Sequence, residues 1–352
     1  MGIELLNKLY ETSYLERDEL SQLLADYDNK DIVEEAARMA RSVSISHFLN
    51  NIYYRGIVEF TNICKNDCYY CGLRKSNSNV ARYRLTEDEI LSCCSNGYEL
   101  GMRTFVLQGG EDLYFDREHR LTNIIKRIKR EFPDCAITLG VGEKSRELYQ
   151  EWFDAGADRF LLRHESSDSI HYNKIHPKEL TLENRINCLK ELKDIGYQVG
   201  AGMMVGSPYQ TKDNLVSDLV FLRDFKPEMV GIGPFIPHQD TPFRDESMGG
   251  FELTLYLLSL VRLLLPTALI PATTAMDTSK HDGRMDAVLC GCNIIMPNIT
   301  PLNFRKNYKL YNDMAELRTL KGSTMLDLDS MLIEIGYHTV VDRGDFKERI
   351  ND

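Results

Sequence analysis

The chain has 352 residues, of which 43% are hydrophobic, so it can fill a large core, and disorder as its main state is excluded. It carries 42 lysines and arginines against 53 aspartates and glutamates, a formal net charge of −11. This acidity argues against general binding to nucleic-acid backbones or anionic membranes. We therefore expect partners that are small molecules or other proteins.

The amino terminus and the cysteine content indicate a reducing compartment. Residues Met1–Tyr10 contain charged side chains and hold no apolar stretch of signal-peptide length. The longest apolar segment, Leu253–Leu265, contains Arg262 and is too short to cross a bilayer. The nine cysteines are an odd number in a chain without an export signal, which predicts reduced thiols rather than a disulfide framework. We expect a cytoplasmic protein.

Strand-like and helix-like patterns alternate through most of the chain. Seven helical patterns separate the strands, and three of them carry clear end signals: Thr86–Leu100, Thr181–Ile195 and Thr211–Phe225. Several strands are almost wholly apolar until their last residues, which is typical of a parallel sheet that is buried on both faces. The eight predicted strands are Ile52–Asn62, Thr104–Gly110, Ala136–Gly142, Arg159–Glu165, Gln198–Gly206, Met229–Pro237, Leu269–Ala275 and Asn293–Ile299.

Eight strand–helix units in roughly 250 residues predict an α/β fold with a closed (β/α)8 TIM-type barrel. The alternative is a doubly wound open sheet, although no Gly-x-Gly-x-x-Gly fingerprint follows the first strand. We divide the chain into an N-terminal helical extension (1–50), the barrel (51–302) and a C-terminal closing segment (303–352).

Three cysteines follow the first predicted strand within eight residues. Cys64, Cys68 and Cys71 have the spacing Cys-x3-Cys-x2-Cys, in a loop whose turn-forming residues can bend the sulfurs toward one centre. Three thiolates leave one position of a metal centre open, whereas a structural zinc site or an ordinary four-iron cluster takes four protein donors. A zinc site completed by a distant histidine or cysteine is one alternative, and three reduced thiols without metal are the other.

Polar residues also follow other predicted strands at their carboxyl ends, where the catalytic groups of a barrel cluster. Strand two ends in Gln108–Asp112 (QGGED), which is a glycine turn with a solvated acid if it binds nothing. Strand four ends in Arg163–Glu165, whose charges would be costly to bury without partners. By alternation Arg163 and Glu165 share one side and are binding candidates, while His164 points the other way and reads as a packed structural residue.

Other candidates lie on the strands and helices that surround this end of the predicted barrel. Arg185 can reach a carboxylate with two hydrogen bonds, although a surface ion pair with Glu183 or Asp194 explains it equally well. Strand five, Gly200–Gly206, combines glycines that permit close approach with thioethers that can pack on a flat purine, or that simply fill the core. Arg55, inside strand one, would be costly in the barrel lumen unless it met an anion.

The last two predicted strands end in hydroxyls and soft sulfurs. Thr273, Thr274 and Met276 follow strand seven, and Met296 and Asn298 follow strand eight. Such a ring of side chains suits a small polar or metal-bearing substrate.

The cysteine spacing, with Tyr70 directly before the third cysteine, resembles the radical S-adenosylmethionine (SAM) superfamily. In that superfamily three thiolates hold a 4Fe–4S cluster, and the fourth iron is chelated by the amino and carboxylate groups of SAM. Electron transfer from the cluster cleaves the sulfonium and liberates a 5′-deoxyadenosyl radical. The element Gly109-Gly110-Glu111 is similar to the Gly-Gly-Glu of the superfamily, which binds the SAM ammonium group.

Longer stretches resemble the biotin-synthase-like branch of the superfamily, and within it the HydE family of FeFe-hydrogenase maturases. This likeness runs from about residue 50 to about residue 311. The stretches are 57–74 (IVEFTNICKNDCYYCGLR), 161–165 (LLRHE), 229–242 (MVGIGPFIPHQDTP), 270–276 (IPATTAM) and 294–301 (IIMPNITP).

The resemblance implies a radical SAM enzyme that acts in assembly of the di-iron subcluster of FeFe-hydrogenase, with one 4Fe–4S cluster and SAM as cofactors. The implied partners are a small-molecule or organometallic iron substrate, an electron donor such as ferredoxin or flavodoxin, and other hydrogenase maturases. Together with the patterns above, it assigns cofactor contacts to Tyr70, Gln108, Gly110, Glu111, Glu165, Arg185, Met204 and Tyr308. It assigns the substrate cavity to Arg55, Arg163, Thr273, Thr274, Met276 and Met296.

Two other functions stay open at this point. One is a methylornithine-synthase-like mutase acting on an amino acid, and the other is a non-catalytic carrier or scaffold for an iron cluster. The chain also departs from the HydE pattern in the loop 206–210 (GSPYQ), where Tyr209 stands in place of an expected glycine, and at Cys292, where we expect a small apolar residue. No cysteine follows Cys292, so the second cluster that many members carry on three C-terminal cysteines is not expected.

Overall fold

The computed structural model describes residues 2–312 and 325–347. The strands are β1 Asn51–Tyr54, β2 Gly56–Thr61, β3 Thr104–Gly109, β4 Ala136–Gly140, β5 Arg159–Leu161, β6 Gln198–Ala201, β7 Met204–Val205, β8 Met229–Val230, β9 Gly233–Pro234, β10 Pro271–Ala272, β11 Ile294–Ile295 and β12 His338–Val340. The helices are α1 Gly2–Thr12, α2 Arg17–Ala25, α3 Lys30–Phe48, α4 Glu87–Glu99, α5 Arg120–Glu131, α6 Arg146–Asp154, α7 Ser169–Ile175, α8 Leu182–Ile195, α9 Lys212–Phe225, α10 Phe251–Leu264, α11 Thr274–Ser279, α12 Gly283–Leu289, α13 Leu302–Arg305 and α14 Met325–Glu334, with a 3-10 turn at Asp26–Asp28.

The predicted helix ends are confirmed where a capping signal marks them. At the start of α4, the Thr86 backbone N–H donates to Glu89 Oε2 at 2.7 Å, and the Glu89 N–H donates back to Thr86 Oγ1 at 3.3 Å. Helix α8 ends at Gly196, which adopts the left-handed conformation with φ of 110°. These local hydrogen bonds explain why sequence patterns alone were sufficient here.

Parallel strands close into a ring, which confirms the predicted barrel. One sheet has the order β2-β3-β4-β5-β6-β8, and a second has the order β10-β11-β1-β12. The two sheets join on both sides, because Met229 forms a parallel bridge with Leu269 and Ile57 forms one with Asn298. Strands β1 and β2 are consecutive pieces of the first predicted strand. The doubly wound open sheet is therefore the wrong alternative, since such a sheet has two free edges.

The seventh predicted strand, Leu269–Ala275, is shorter in the structure than the sequence suggests. Only Pro271 and Ala272 pair with β11, and helix α11 begins at Thr274. A short run of alanine and threonine is compatible with either a strand or a helix, so the sequence pattern could not place this boundary.

The N-terminal helices α1–α3 cover the outer helices of the barrel. Helix α3 packs on α10, and α2 packs on α9. Tyr256 of α10 donates its hydroxyl to the Leu23 carbonyl of α2 at 2.9 Å, which also ties α2 to α10. The division into extension, barrel and closing segment stays a prediction, and residues 313–324 and 348–352 of the closing segment lie outside the described residues. Across the described ranges, every helix is either too short or too polar to span a bilayer.

The C-terminal segment seals the amino end of the barrel. After β12 pairs with β1, the Arg343 carbonyl accepts hydrogen bonds from Thr104 Oγ1 at 2.8 Å and from an Arg159 Nη at 2.9 Å. Asp345 Oδ1 lies 2.5 Å from Arg159, whose side chain is 0% exposed. Thr104 and Arg159 are the first residues of β3 and β5, so this segment covers the end opposite to the cysteine loop.

This seal predicts the effect of removing one carboxylate. Asp345→Ala should lower the free energy of unfolding by about 2 kcal/mol, because the buried Arg159 guanidinium loses its anionic partner. Urea titration of the purified protein measures this change. Asp224→Ala removes the carboxylate of an exposed ion pair with Arg223 and should change the free energy by about 0.5 kcal/mol or less. Equal effects of the two variants would contradict the proposed role of Asp345.

Candidate active site

The loop that carries the three cysteines follows β2 at the carboxyl end of the barrel, and one guanidinium holds its path. Arg82 Nη1 donates to the carbonyls of Asn62 at 2.6 Å and Leu73 at 2.9 Å. Its Nη2 donates to the carbonyls of Arg74 at 2.7 Å and Asn77 at 3.1 Å. Four carbonyls from both arms of the loop thus converge on a single side chain.

Further contacts fix the loop between the first and third cysteines. The Asp67 carboxylate accepts hydrogen bonds from Arg74 Nε at 2.8 Å and from the Ser76 backbone N–H at 3.0 Å. The Arg74 and Ser76 hydrogen bonds hold the pKa of Asp67 well below its usual range. At Gly72, a Cβ would lie only 2.2 Å from the Lys309 carbonyl oxygen, so a larger residue would displace the C-terminal segment from this loop.

The three sulfurs share one buried environment. All nine cysteines are free thiols, and Cys64, Cys68 and Cys71 are half-buried. Burial raises the pKa of Cys68, and the charges of Cys71 and Cys64 raise it further. Burial and the charge of Cys64 raise the pKa of Cys71 to about 12. Thiolates at these positions therefore need positive charge nearby, which bound iron supplies.

The three thiols match the donor set of a three-cysteine 4Fe–4S cluster, in which each thiolate binds a separate iron and one iron stays open. A structural zinc site takes four protein donors on one ion. Cys64, Cys68 and Cys71 are the residues that would hold the cluster.

The element Gln108–Asp112, which includes the end of β3, lies directly against the cysteine loop. A Cβ at Gly110 would lie 2.3 Å from a backbone carbonyl of that loop, so the glycine permits their contact. The Glu111 carboxylate accepts the Glu143 backbone N–H at 3.0 Å and lies 3.1 Å from Lys65 Nζ. Gly142 has φ of 75°, and a Cβ there would lie 2.2 Å from the Glu111 side chain. Gly142, which follows β4, therefore makes room for this carboxylate.

Two guanidinium–carboxylate pairs line the same end of the barrel. Arg185 Nε lies 2.5 Å from Glu143 Oε1, and its Nη1 donates to the Arg163 carbonyl at 2.6 Å. Arg163 Nη2 lies 2.8 Å from Glu165 Oε2, while Arg163 Nε is buried and has no hydrogen-bond partner in the part of the chain that the structure describes. Glu165 adopts the left-handed region with φ of 63°, which is uncommon for a non-glycine residue and typical of functional positions.

The structure shows which partners Arg185 and His164 take. Arg185 is buried and pairs with Glu143, so the surface ion pair with Glu183 or Asp194 is wrong. His164 is fully buried, with its Nε2 3.3 Å from an Asp218 oxygen. It faces helix α9, away from the Arg163–Glu165 pair, as alternation predicts.

Tyr70 is held by His176, a buried histidine that is the C-cap residue of helix α7. Its hydroxyl donates to His176 Nε2 at 3.1 Å, because His176 Nδ1 donates to the Tyr172 carbonyl at 3.0 Å, which assigns the tautomer. Burial and the charge of Arg185 lower the pKa of His176 to about 3. Met204 packs beside Tyr70, which gives the site an apolar wall.

Gln108 and Tyr308 complete the set of predicted cofactor residues. Gln108 Nε2 lies 3.3 Å from the Tyr308 hydroxyl. Burial and the charge of Glu59 raise the pKa of Tyr308, so the phenol is neutral. The charge of Arg185 lowers the pKa of Cys68 and that of Glu111 raises it, while the charge of Glu165 raises the pKa of Cys71. The fold thus brings the predicted cofactor residues around the cysteine loop, although their individual roles stay predictions.

The predicted substrate residues are more dispersed. Thr273 Oγ1 lies 3.4 Å from the Ile232 carbonyl, and Thr274 Oγ1 accepts a hydrogen bond from Arg284 at 3.2 Å. Met296 packs against the inner apolar cluster of Met229, Leu269 and Ile294. Arg163 lies with the cofactor residues described above.

Arg55 and Met276 are both buried. Arg55 lies near the sealed end, where Nη2 donates to the Gly344 carbonyl at 3.1 Å and Nη1 is 3.1 Å from the Met229 sulfur. Met276 is fully buried in the main hydrophobic core. The expectation that Met276 ends a strand is wrong, because helix α11 begins at Thr274 and turns this side chain into the core.

Three residues at the site were not identified from the sequence. Glu143 follows β4, which is the third predicted strand. The rule that singled out the polar ends of the second and fourth predicted strands would also have found it. His176 and Arg82 lie in loops with no pattern of their own. Only the folded structure shows that His176 meets Tyr70 and that Arg82 binds the cysteine loop.

Comparison with known proteins decides the family. Residues 58–222 match the model of the radical SAM superfamily. The FeFe-hydrogenase maturase subunit HydE of Thermotoga maritima is 45% identical over 310 residues, which span 88% of this chain and 87% of the relative. The chain belongs to the HydE family of radical SAM enzymes. Its cofactors are therefore a 4Fe–4S cluster and SAM, and the thiol loop is the place that fits the cluster.

This HydE-family chain also resembles proteins of the wider branch. The biotin synthase of Acinetobacter baylyi is 24% identical over 284 residues, covering 79% of this chain and 83% of the relative. The crystal structure of methylornithine synthase (PylB) superposes with a TM-score of 0.82 and 25% identity, covering 96% of this chain and 97% of that one. The predicted biotin-synthase-like branch is confirmed.

The ligand assignment in this HydE-family enzyme can be tested on the second cysteine. Cys68→Ala should abolish stable cluster binding, because two thiolates remain for three irons. Anaerobically reconstituted protein should lose its brown colour and nearly all bound iron. Cys93→Ala, which changes a buried thiol of helix α4, should retain both. Wild-type iron content in Cys68→Ala would refute the assignment.

The buried His176 predicts a pH-dependent stability. Its pKa is about 3 in the folded enzyme against 6.5 ordinarily, so unfolding takes up a proton between these values. This contribution is fully present above pH 6.5 and is lost by roughly 1.4 kcal/mol per pH unit as pH falls below it. Urea titrations at several pH values should give a shallower dependence for His176→Gln than for the unaltered enzyme. His338→Gln, at an exposed position of β12, should leave the dependence unchanged, and an unchanged slope in His176→Gln would contradict the assignment.

Proposed function

We propose that this enzyme acts in FeFe-hydrogenase maturation, in assembly of the di-iron subcluster. The observation that carries this proposal is the 45% identity to HydE over 310 residues, which span 88% of this chain. The alternative of a non-catalytic carrier does not account for the charged residues that surround the loop, since a carrier needs cluster ligands alone.

The charges at the barrel mouth match the methionine part of SAM, which carries an ammonium and a carboxylate. Glu111 and Glu165 supply negative charge for the ammonium, and Arg185 supplies positive charge for the carboxylate. The buried Nε of Arg163, which no described residue hydrogen-bonds, is a further donor that a ligand can satisfy. Tyr70 and Met204 offer an apolar surface for the adenine. When bound, the cluster supplies the electron that cleaves SAM to methionine and a 5′-deoxyadenosyl radical.

The barrel interior offers a place for an anionic or organometallic iron substrate. Arg55 Nε is buried and has no hydrogen-bond partner among the described residues, and the guanidinium lies near that of Arg159. Asp345 hydrogen-bonds to Arg159 and not to Arg55, so within residues 2–312 and 325–347 Arg55 has no direct carboxylate partner. An anion inside the barrel would offset this charge. Thr273, Thr274, Met296 and Arg163 stay the proposed substrate residues along the way to the mouth, and Met276 could contribute only through its packing.

The proposal includes partners and a compartment. The reaction needs an external electron, for which we propose ferredoxin or flavodoxin. We also propose that other hydrogenase maturases deliver the iron species and receive the product. A reduced 4Fe–4S enzyme with free thiols suits the cytoplasm.

A methylornithine-synthase-like mutase is the second candidate, which the structural likeness to PylB favours. The two functions share SAM cleavage and differ in substrate. Restoring hydrogenase activity in cells that lack their own HydE would support maturation. Conversion of an amino acid to a branched isomer, together with failure to restore hydrogenase, would support the mutase instead.

SAM cleavage gives the direct test of enzyme against carrier. Anaerobic, reconstituted protein with SAM and dithionite should release 5′-deoxyadenosine, measured by liquid chromatography. Glu111→Gln should slow this release about tenfold or more, because one charged hydrogen bond to the ammonium is lost. Glu118→Gln, at an exposed position, should leave it unchanged. Absence of 5′-deoxyadenosine from cluster-loaded unaltered protein would support the carrier.

A further inference from the structure

A surface depression opens directly onto the first cysteine of the cluster loop. Its volume is about 640 Å³, and Cys64 lies in its wall. Leu113 and Tyr114, which follow the element Gln108–Asp112, line the depression and are 44% and 42% exposed. The depression therefore connects solvent with this cysteine, and Glu111 lines the same wall.

The depression is positively charged on a strongly acidic chain. Three cations in its wall have carboxylate partners: Lys65 with Glu111, Arg84 with Asp112, and Arg120 with Glu118. Lys75 and Arg117 have no ion-pair partner among the described residues and are exposed. Two uncompensated positive charges thus face solvent beside Cys64, whereas the whole chain has a net charge of −11.

Tyr114 is held rigidly at the edge of this charged surface. The guanidinium of Arg84 lies 4.5 Å from the centre of its ring, and that of Arg120 lies 3.9 Å from it. The Tyr114 backbone N–H donates to an Asp112 oxygen at 3.1 Å. A fixed aromatic side chain with arginines around it is the composition that protein interfaces favour, and its ordering costs little on binding.

A neighbouring cavity of about 560 Å³ shares Lys65 but differs in charge. It contains Asp116, Glu143 and Glu179 against Lys65 and Lys144. Glu143 belongs to the Arg185 pair of the active site. This second cavity is unsuited to an acidic protein, which leaves the depression beside Cys64 as the better docking surface.

We propose that the depression lined by Cys64, Lys75, Arg117 and the Leu113–Tyr114 edge is the docking surface for an acidic one-electron carrier protein. This inference rests on the proposed function, since only a cluster that must be reduced needs such a partner. The donor is oxidised by one electron and the cluster is reduced by one, with no bond made or broken. Complementary charge would speed the encounter and orient the carrier with its redox group toward Cys64.

The test reverses the two uncompensated charges. We compare the Lys75→Glu/Arg117→Glu double variant with Lys190→Glu, which changes an exposed cation on helix α8 outside the depression. The first readout is the affinity of reconstituted enzyme for an acidic ferredoxin, measured by calorimetry at low and high salt. The double variant should bind about tenfold more weakly or worse at low salt, with a smaller salt dependence, while Lys190→Glu binds as the unaltered enzyme does.

A second readout separates docking from cluster chemistry. With dithionite in place of ferredoxin, the double variant should release 5′-deoxyadenosine at the unaltered rate. Carbodiimide cross-linking should join Lys75 of the unaltered enzyme to ferredoxin carboxylates. Unchanged ferredoxin affinity in the double variant, or cross-links confined to other lysines, would overturn the docking proposal. Failure of unaltered enzyme to cleave SAM with dithionite would overturn the proposed function instead.

Discussion

Three thiols in a buried loop at the open end of the barrel are the constraint on which the rest of this structure depends. Burial and mutual repulsion disfavour their thiolates, so the site is electrostatically incomplete until iron compensates the charge. The protein therefore has to hold the loop in place by other means. Arg82 does this by binding four loop carbonyls, and Asp67 does it through Arg74 and Ser76.

The two ends of the barrel meet different physical demands. The amino end is sealed by the C-terminal segment, where Asp345 offsets the buried Arg159. The carboxyl end gathers charges of both signs around the cysteines, including the Glu143–Arg185 and Arg163–Glu165 pairs. One sealed end and one charged open end are an arrangement that can keep a reactive radical away from water and beside its target. The same scaffold serves relatives with different substrates, so specificity depends on the side chains inside.

Much of the site could be predicted because its residues follow a positional rule. The carboxyl ends of parallel strands meet at one face, which brought Glu111 and Glu165 to the cysteine loop as expected. The rule fails where a strand gives way to a helix, as at Met276, and it says nothing about loops such as the one that carries Arg82. It also cannot show which partner a cation takes, so Arg185 was equally compatible with a surface ion pair.

The sequence by itself determined the barrel class, the helix ends with capping signals and the three-thiol centre, because hydrophobic periodicity, local hydrogen bonds and cysteine spacing act over short distances. Only the tertiary structure decided what lies far apart in the chain and close in space. The contacts of Asp345 with Arg159, of His176 with Tyr70 and of Arg185 with Glu143 depend on chain packing that no local pattern encodes.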